Sequence, residues 1–98
     1  MSRAMKTYTL SLRHAPTEEG ALLQVLILEA ASVHEALEVF VHTFYRHDPI
    51  AWLFHAGALT IREGVALGLL RRYFSSDQIE RVVEYVGGGH RVSFSQYD

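Results

Sequence analysis

The residue types best suited to metal chemistry form one stripe in the first half of the chain. His34, Glu38 and His42 follow one another at four-residue intervals, so on an α-helix they would lie on one face, one turn apart. Imidazoles and a carboxylate at this spacing can bind a divalent metal ion. The pattern lacks the His-Glu-x-x-His spacing of metalloproteases. We therefore expect a solvated face without metal or cofactor; a histidine-dependent metal-binding protein or small hydrolase is the alternative.

Motifs for nucleophilic or phosphate chemistry are missing from the sequence. There is no cysteine and no Gly-x-Ser-x-Gly elbow. The run Gly87-Gly88-Gly89 precedes an alternating segment, whereas a phosphate-binding loop opens a helix with its free N–H groups. The sequence predicts no catalytic residues and favours a protein that is not an enzyme.

Arginines in the C-terminal half could contact phosphate groups, and two of them adjoin the aromatic pair Tyr73-Phe74. These arginines are Arg62, Arg71, Arg72, Arg81 and Arg91. The whole chain nevertheless has a formal net charge of −2, which gives no general attraction to nucleic acid. A weak nucleic-acid binder that uses this arginine-rich half is a further alternative.

The composition is typical of one globular domain. The chain has 98 residues, of which 49% are hydrophobic and 20% are charged, so it can form a single hydrophobic core. The longest stretch without Asp, Glu, Lys or Arg is 49–61, which is too short to span a bilayer. We expect a single domain over 1–98, a cytoplasmic location and no membrane partner.

Alternation of apolar and polar residues predicts strands near both ends of the chain. Lys6–Arg13 and His90–Tyr97 alternate in this way. The segment Leu22–Ala30 is apolar on both faces, which fits a buried strand or a buried helix. We interpret it as a strand, because a polar loop at 14–20 would join it to the first strand as a hairpin and a helix cap follows it.

Three helix-start signals place a hydroxyl three residues before Glu or Gln, the spacing of a capping box. They are Ser32-Val33-His34-Glu35, Thr60-Ile61-Arg62-Glu63 and Ser75-Ser76-Asp77-Gln78. With the apolar periodicity that follows each signal, they predict helices over 33–46, 60–74 and 77–86. The segment 50–59 fits a short strand or an apolar helical turn.

The order of these elements is β-β-α-(β or loop)-α-α-β. It predicts an α+β fold in which the N-terminal hairpin and the C-terminal strand form a small antiparallel sheet. About three helices would cover one face of this sheet.

Several aromatic residues have no place on the predicted core stripes. Trp52, Phe54, Tyr45 and Tyr97 are the ones we expect to bind a partner, since aromatic side chains anchor protein interfaces. The sequence thus favours a small protein-binding, regulatory protein that acts as a homodimer. By analogy of class alone it resembles accessory or inhibitor-type proteins carried by phages and plasmids.

Overall fold

The computed structural model describes residues 4–14 and 21–97, so most of the loop predicted at 14–20 lies outside the described residues. The elements are β1 (Lys6–Arg13), β2 (Leu22–Ala30), α1 (Val33–Tyr45), α2 (Pro49–His55), a 3-10 turn (Ala56–Ala58), β3 (Leu59–Glu63), α3 (Leu67–Leu70), α4 (Ser76–Gly87) and β4 (Val92–Tyr97). The strands form one antiparallel sheet in the order β3-β1-β2-β4. The predicted α+β class and the strand assignment of Leu22–Ala30 are confirmed.

Helices cover both faces of the sheet, which corrects the prediction that they cover one. On the first face Leu10 of β1 packs with Phe40 of α1, and on the second Val25 of β2 packs with Val86 of α4. All four side chains are fully buried or nearly so. The reason lies in β2, whose apolar run is buried on both sides of the strand, so that a helix on one face alone would leave the other in water.

Two of the three predicted helix caps are confirmed. The Ser32 hydroxyl accepts a hydrogen bond of 3.1 Å from the backbone N–H of Glu35 at the start of α1. Ser75 forms a complete capping box at the start of α4: its hydroxyl accepts from Gln78 N, and its own N–H donates to Gln78 Oε1 at 2.9 Å. These local hydrogen bonds satisfy N–H groups that the first helical turn leaves without partners.

The third cap and its helix over 60–74 are wrong. Thr60 lies within β3, directly across from Ser11 of β1. Gly64 then ends the strand with a φ of +84°, and its N–H donates to the Thr7 carbonyl at 2.7 Å. Within 60–74 the structure has only one helix, the short α3. Pairing with β1, a long-range interaction, overrides the local capping pattern.

The uncertain segment 50–59 is helical in its first part. Asp48 caps α2 by accepting a 3.1 Å hydrogen bond from Ala51 N, and Pro49 occupies the first helical turn, where its missing N–H is no loss. Within the described residues, no helix has the length and apolarity needed to cross a bilayer.

Candidate functional site

The outer face of α2 is apolar and open to solvent. Ile50, Leu53 and Phe54 are 65%, 75% and 81% exposed. At 3.6 residues per turn these three positions fall on one side of the helix, while Ala51 and Trp52 pack against the core below. Three adjacent large apolar side chains in water are unusual, since exposed hydrophobic residues of monomeric proteins are normally scattered singly.

A groove of about 410 Å³ runs between α1 and α2 beside this face. Its apolar walls are formed by Leu37, Val41, Tyr45, Pro49 and Trp52, and its rim by Glu38, His42 and Arg46. Pro49 and Leu53 are one turn apart on α2, so the groove continues into the exposed helix face. We call the groove walls together with Ile50, Leu53 and Phe54 the α2 surface.

Trp52 fixes α2 to the rest of the domain. Its ring centroid lies 5.9 Å from that of Phe40 and 5.6 Å from that of Tyr45. Tilted aromatic pairs at these distances contribute beyond simple area burial. The short helix therefore has an anchored side and an exposed side, both apolar.

Below the groove, Tyr45 and three other polar side chains meet at the Tyr45 phenolic oxygen. This oxygen lies 2.7 Å from Gln24 Oε1, 2.9 Å from His14 Nε2 and 3.2 Å from His55 Nδ1. We call these four residues the Tyr45 cluster. It joins β2, α1, α2 and the residue that follows β1 at one point.

One arrangement of protons satisfies every contact in the Tyr45 cluster. Tyr45 donates its proton to Gln24 Oε1, so the Tyr45 oxygen must accept from the ring nitrogens of His14 and His55. His14 is then protonated at Nε2, which also lies 3.0 Å from Gln24 Oε1, and His55 is protonated at Nδ1. Both imidazoles can be neutral in this arrangement.

Burial opposes the charged forms of two members of the Tyr45 cluster, His55 and Tyr45. Burial lowers the pKa of His55 below its ordinary value, with a further lowering by His14 that Asp48 partly opposes. The ring centroids of His14 and His55 are only 3.9 Å apart. Burial also raises the pKa of Tyr45, while its hydrogen bond to Gln24 acts in the opposite direction. The cluster is suited to holding α2 in place at neutral pH.

The four predicted partner-binding residues occupy different environments. Phe54 is the most exposed large apolar side chain of the α2 surface, and Trp52 lines the groove while contacting the core. Tyr45 is buried and reaches the groove only as part of its wall. Tyr97 lies exposed on β4, the edge strand at the other end of the sheet from β3. Three of the four therefore lie at or beside the α2 surface, and Tyr97 does not.

The predicted histidine stripe lies on the exposed side of α1. His34 Nε2 and Glu38 Oε1 form a pair at 2.9 Å, and both side chains are largely in solvent. His42 lies further along, at the rim of the groove. Across residues 4–14 and 21–97, no three His, Cys, Asp or Glu side chains come together in a way that could hold a metal ion.

Sequence reasoning missed His14, Gln24 and His55 as members of one cluster. His14 follows β1, Gln24 lies in β2 and His55 is the last residue of α2, so no spacing pattern within one element connects them. Ile50 and Leu53 were also missed, although their spacing with Phe54 is helical, because the segment fitted a strand equally well.

Comparison of the chain with protein-family models, with curated proteins and with solved structures found no significant match.

Proposed function

We propose that this protein is a protein-binding domain that associates with a second copy of itself through the α2 surface. The observation that carries the proposal is the exposure of Ile50, Leu53 and Phe54 on one side of a helix. Fully burying each such side chain contributes roughly 1.5–3 kcal/mol, so a partner that covers all three gains a useful part of its binding energy there.

The groove beside the helix supplies a complementary shape. It is lined largely by apolar atoms of Leu37, Val41 and Trp52, and its size of about 410 Å³ suits one or two large side chains. A two-fold dimer lets Leu53 or Phe54 of each copy enter the groove of the other. The same patch then serves both copies, as an isologous interface requires.

Charges at the rim favour this two-fold arrangement. Glu38 lies on α1, Arg46 follows eight residues later as the C-cap residue of that helix, and both line the groove. When two α1 helices approach in antiparallel fashion, Glu38 of each copy faces Arg46 of the other. Complementary rim charges of this kind set the register and speed the encounter more than they add affinity.

The first experiment measures mass in solution. Sedimentation equilibrium of the wild-type chain should show a concentration-dependent dimer. Leu53→Ser and Phe54→Ser should shift the equilibrium to monomer. At a low protein concentration, where the wild type is also monomeric, they should leave the unfolding midpoint unchanged because both side chains are exposed. Val83→Ser is the matched control, since Val83 is an exposed apolar residue of α4 on the other face of the sheet; it should leave the dimer unchanged.

The second experiment tests the two-fold geometry by charge reversal. Glu38→Arg and Arg46→Glu should each weaken the dimer, because like charges then face each other, and the double variant should restore it. A wild-type chain that stays monomeric at high micromolar concentration overturns self-association. A dimer that the single variants at Glu38, Arg46, Leu53 and Phe54 all leave intact overturns the α2 surface as its interface.

A further inference from the structure

A second groove, of about 560 Å³, lies on the sheet face opposite α1. The strands β1 and β3 form its floor, and the segment that contains α3 forms its wall. Its lining side chains include Ser11, Thr60, Arg62, Leu67, Leu69 and Arg72. Helix α4 packs against β2 and β4, so within residues 4–14 and 21–97 it leaves the β1–β3 end of this face open.

Strand register places the polar side chains of the floor together. Ser11 lies directly across from Thr60, and Thr9 lies directly across from Arg62, so each pair projects from the same face. The buried Thr9 hydroxyl is already used: it donates to the Gly64 carbonyl at 2.7 Å and accepts from Ala66 N at 3.1 Å. The hydroxyls of Ser11 and Thr60 are engaged by no other residue of 4–14 or 21–97 and remain available to a ligand.

The two arginines give this groove a positive charge on a chain whose net charge is −2. Within the described residues, neither Arg62 nor Arg72 forms an ion pair. The Arg72 guanidinium carbon lies 5.8 Å from the centroid of the Tyr73 ring, a cation–π contact that limits its rotation. The carboxylate of Glu63, at the rim of the groove, forms an ion pair with Lys6, whose Nζ is 3.3 Å from Glu63 Oε1.

We propose that this groove binds a small phosphate monoester. Two guanidinium groups match the charge and the oxygen geometry of a phosphate dianion, and the hydroxyls of Ser11 and Thr60 can donate to its remaining oxygens. The apolar side chains of Leu67 and Leu69 face the organic part of the ligand. The site is on the other side of the sheet from the α2 surface, so it does not depend on self-association.

The lining favours a small ligand over nucleic acid. Single-stranded nucleic acid is bound by aromatic side chains that stack on bases beside a basic track, and no aromatic ring lines this groove. Of the five C-terminal arginines, Arg71, Arg81 and Arg91 lie outside it. The positive charge is therefore local rather than extended.

Phenyl phosphate is a suitable probe, with phenol and sodium chloride at matched ionic strength as controls. In a ¹H–¹⁵N NMR titration, phenyl phosphate should saturate and shift the amides of Ser11, Thr60 and Leu67, while amides of α1 and α2 stay in place. Phenol should leave the same amides unshifted. Absence of saturable shifts at millimolar phenyl phosphate overturns the proposal, as does saturable binding of a short oligonucleotide without binding of phenyl phosphate.

Neighbouring arginines provide a matched pair of variants. Arg72→Gln and Arg62→Gln should each weaken phenyl phosphate binding about 10-fold or more, the usual effect of losing a charge-assisted hydrogen bond. Arg71→Gln removes the same charge one residue away, outside the groove. It should change binding less than about 2-fold, because a charge that does not contact the ligand acts on it only through screening solvent. Equal losses in Arg71→Gln and Arg72→Gln would show nonspecific attraction and overturn the site.

Discussion

The phenolic oxygen of Tyr45 lies 3.2 Å from Nδ1 of His55, and this contact joins the last residue of α1 to the last residue of α2. The short helix that carries the α2 surface is thus held by one polar contact in addition to the packing of Trp52. Because His55 can take up a second proton, the stability of this arrangement should depend on pH.

We predict that stability falls as the pH drops below the ordinary histidine pKa. The pKa of His55 in the folded protein lies below its ordinary value of 6.5. At pH values between these two pKa values, His55 is largely protonated in the unfolded chain and largely neutral in the folded chain. The free energy of unfolding should decrease through that interval with falling pH and stay constant in this respect above it. Urea unfolding at stepped pH values measures the effect.

His55→Gln should flatten this pH dependence. His42→Gln is the control: His42 is exposed on α1, and the dependence should persist without it. An unchanged pH profile in His55→Gln would contradict the assignment.

We predict that Tyr45→Phe destabilises the fold by about 1–3 kcal/mol, the penalty for leaving buried polar groups without a partner. The change keeps the ring contacts with Phe40 and Trp52 but removes the oxygen that His55 and Gln24 share. Tyr85→Phe removes a hydroxyl from an exposed side chain and should change the free energy of unfolding by less than about 0.5 kcal/mol. Equal effects of the two variants in urea unfolding would argue against the Tyr45 cluster as a stabilising element.

Gly64→Ala should destabilise the protein by about 1 kcal/mol or more, because an L side chain is strained at positive φ. Gly64 has φ of +84°, and a Cβ there would meet no atom within 4 Å, so the effect is one of backbone conformation rather than crowding. Gly57→Ala is matched for space, with nothing within 4 Å of its Cβ and no positive φ. Thermal melts should therefore show a loss for the first variant and no loss for the second.

Elements with a strong local signal could be predicted from the sequence. Alternation identified β1 and β4, and the hydroxyls of Ser32 and Ser75 marked the starts of α1 and α4, because capping hydrogen bonds form within four residues. The same capping pattern at Thr60 gives the wrong prediction of a helix over 60–74, since the residues 60–63 are also compatible with a strand. The choice depends on pairing with Ser11 and its neighbours, which lie some fifty residues earlier in the chain.

The same distinction between local and long-range signals applies to the candidate sites. Phe54 was predicted as a contact residue because it had no place on a core stripe, a property visible in the sequence. The Tyr45 cluster and the second groove, which contains Arg62 and Arg72, could not be predicted, because each is assembled from side chains that are distant in the chain. Their members become neighbours only once the sheet register and the positions of α2 and α3 are known.

Trp52→Ala should distinguish the anchored side of α2, which packs on the core, from its exposed side. Trp52 packs between Phe40 and Tyr45 but is only half-buried. Truncation should therefore lower the free energy of unfolding by about 3 kcal/mol, the lower end of the range measured for buried aromatic residues. Leu53→Ala is the neighbouring control: its side chain is three-quarters exposed, and the monomer should lose less than about 0.5 kcal/mol. Urea unfolding at a low protein concentration, where the chain is monomeric, compares them. If Trp52→Ala has the same free energy of unfolding as the wild type, packing of Trp52 does not anchor α2 to the core. The position of the exposed α2 face would then not depend on this residue.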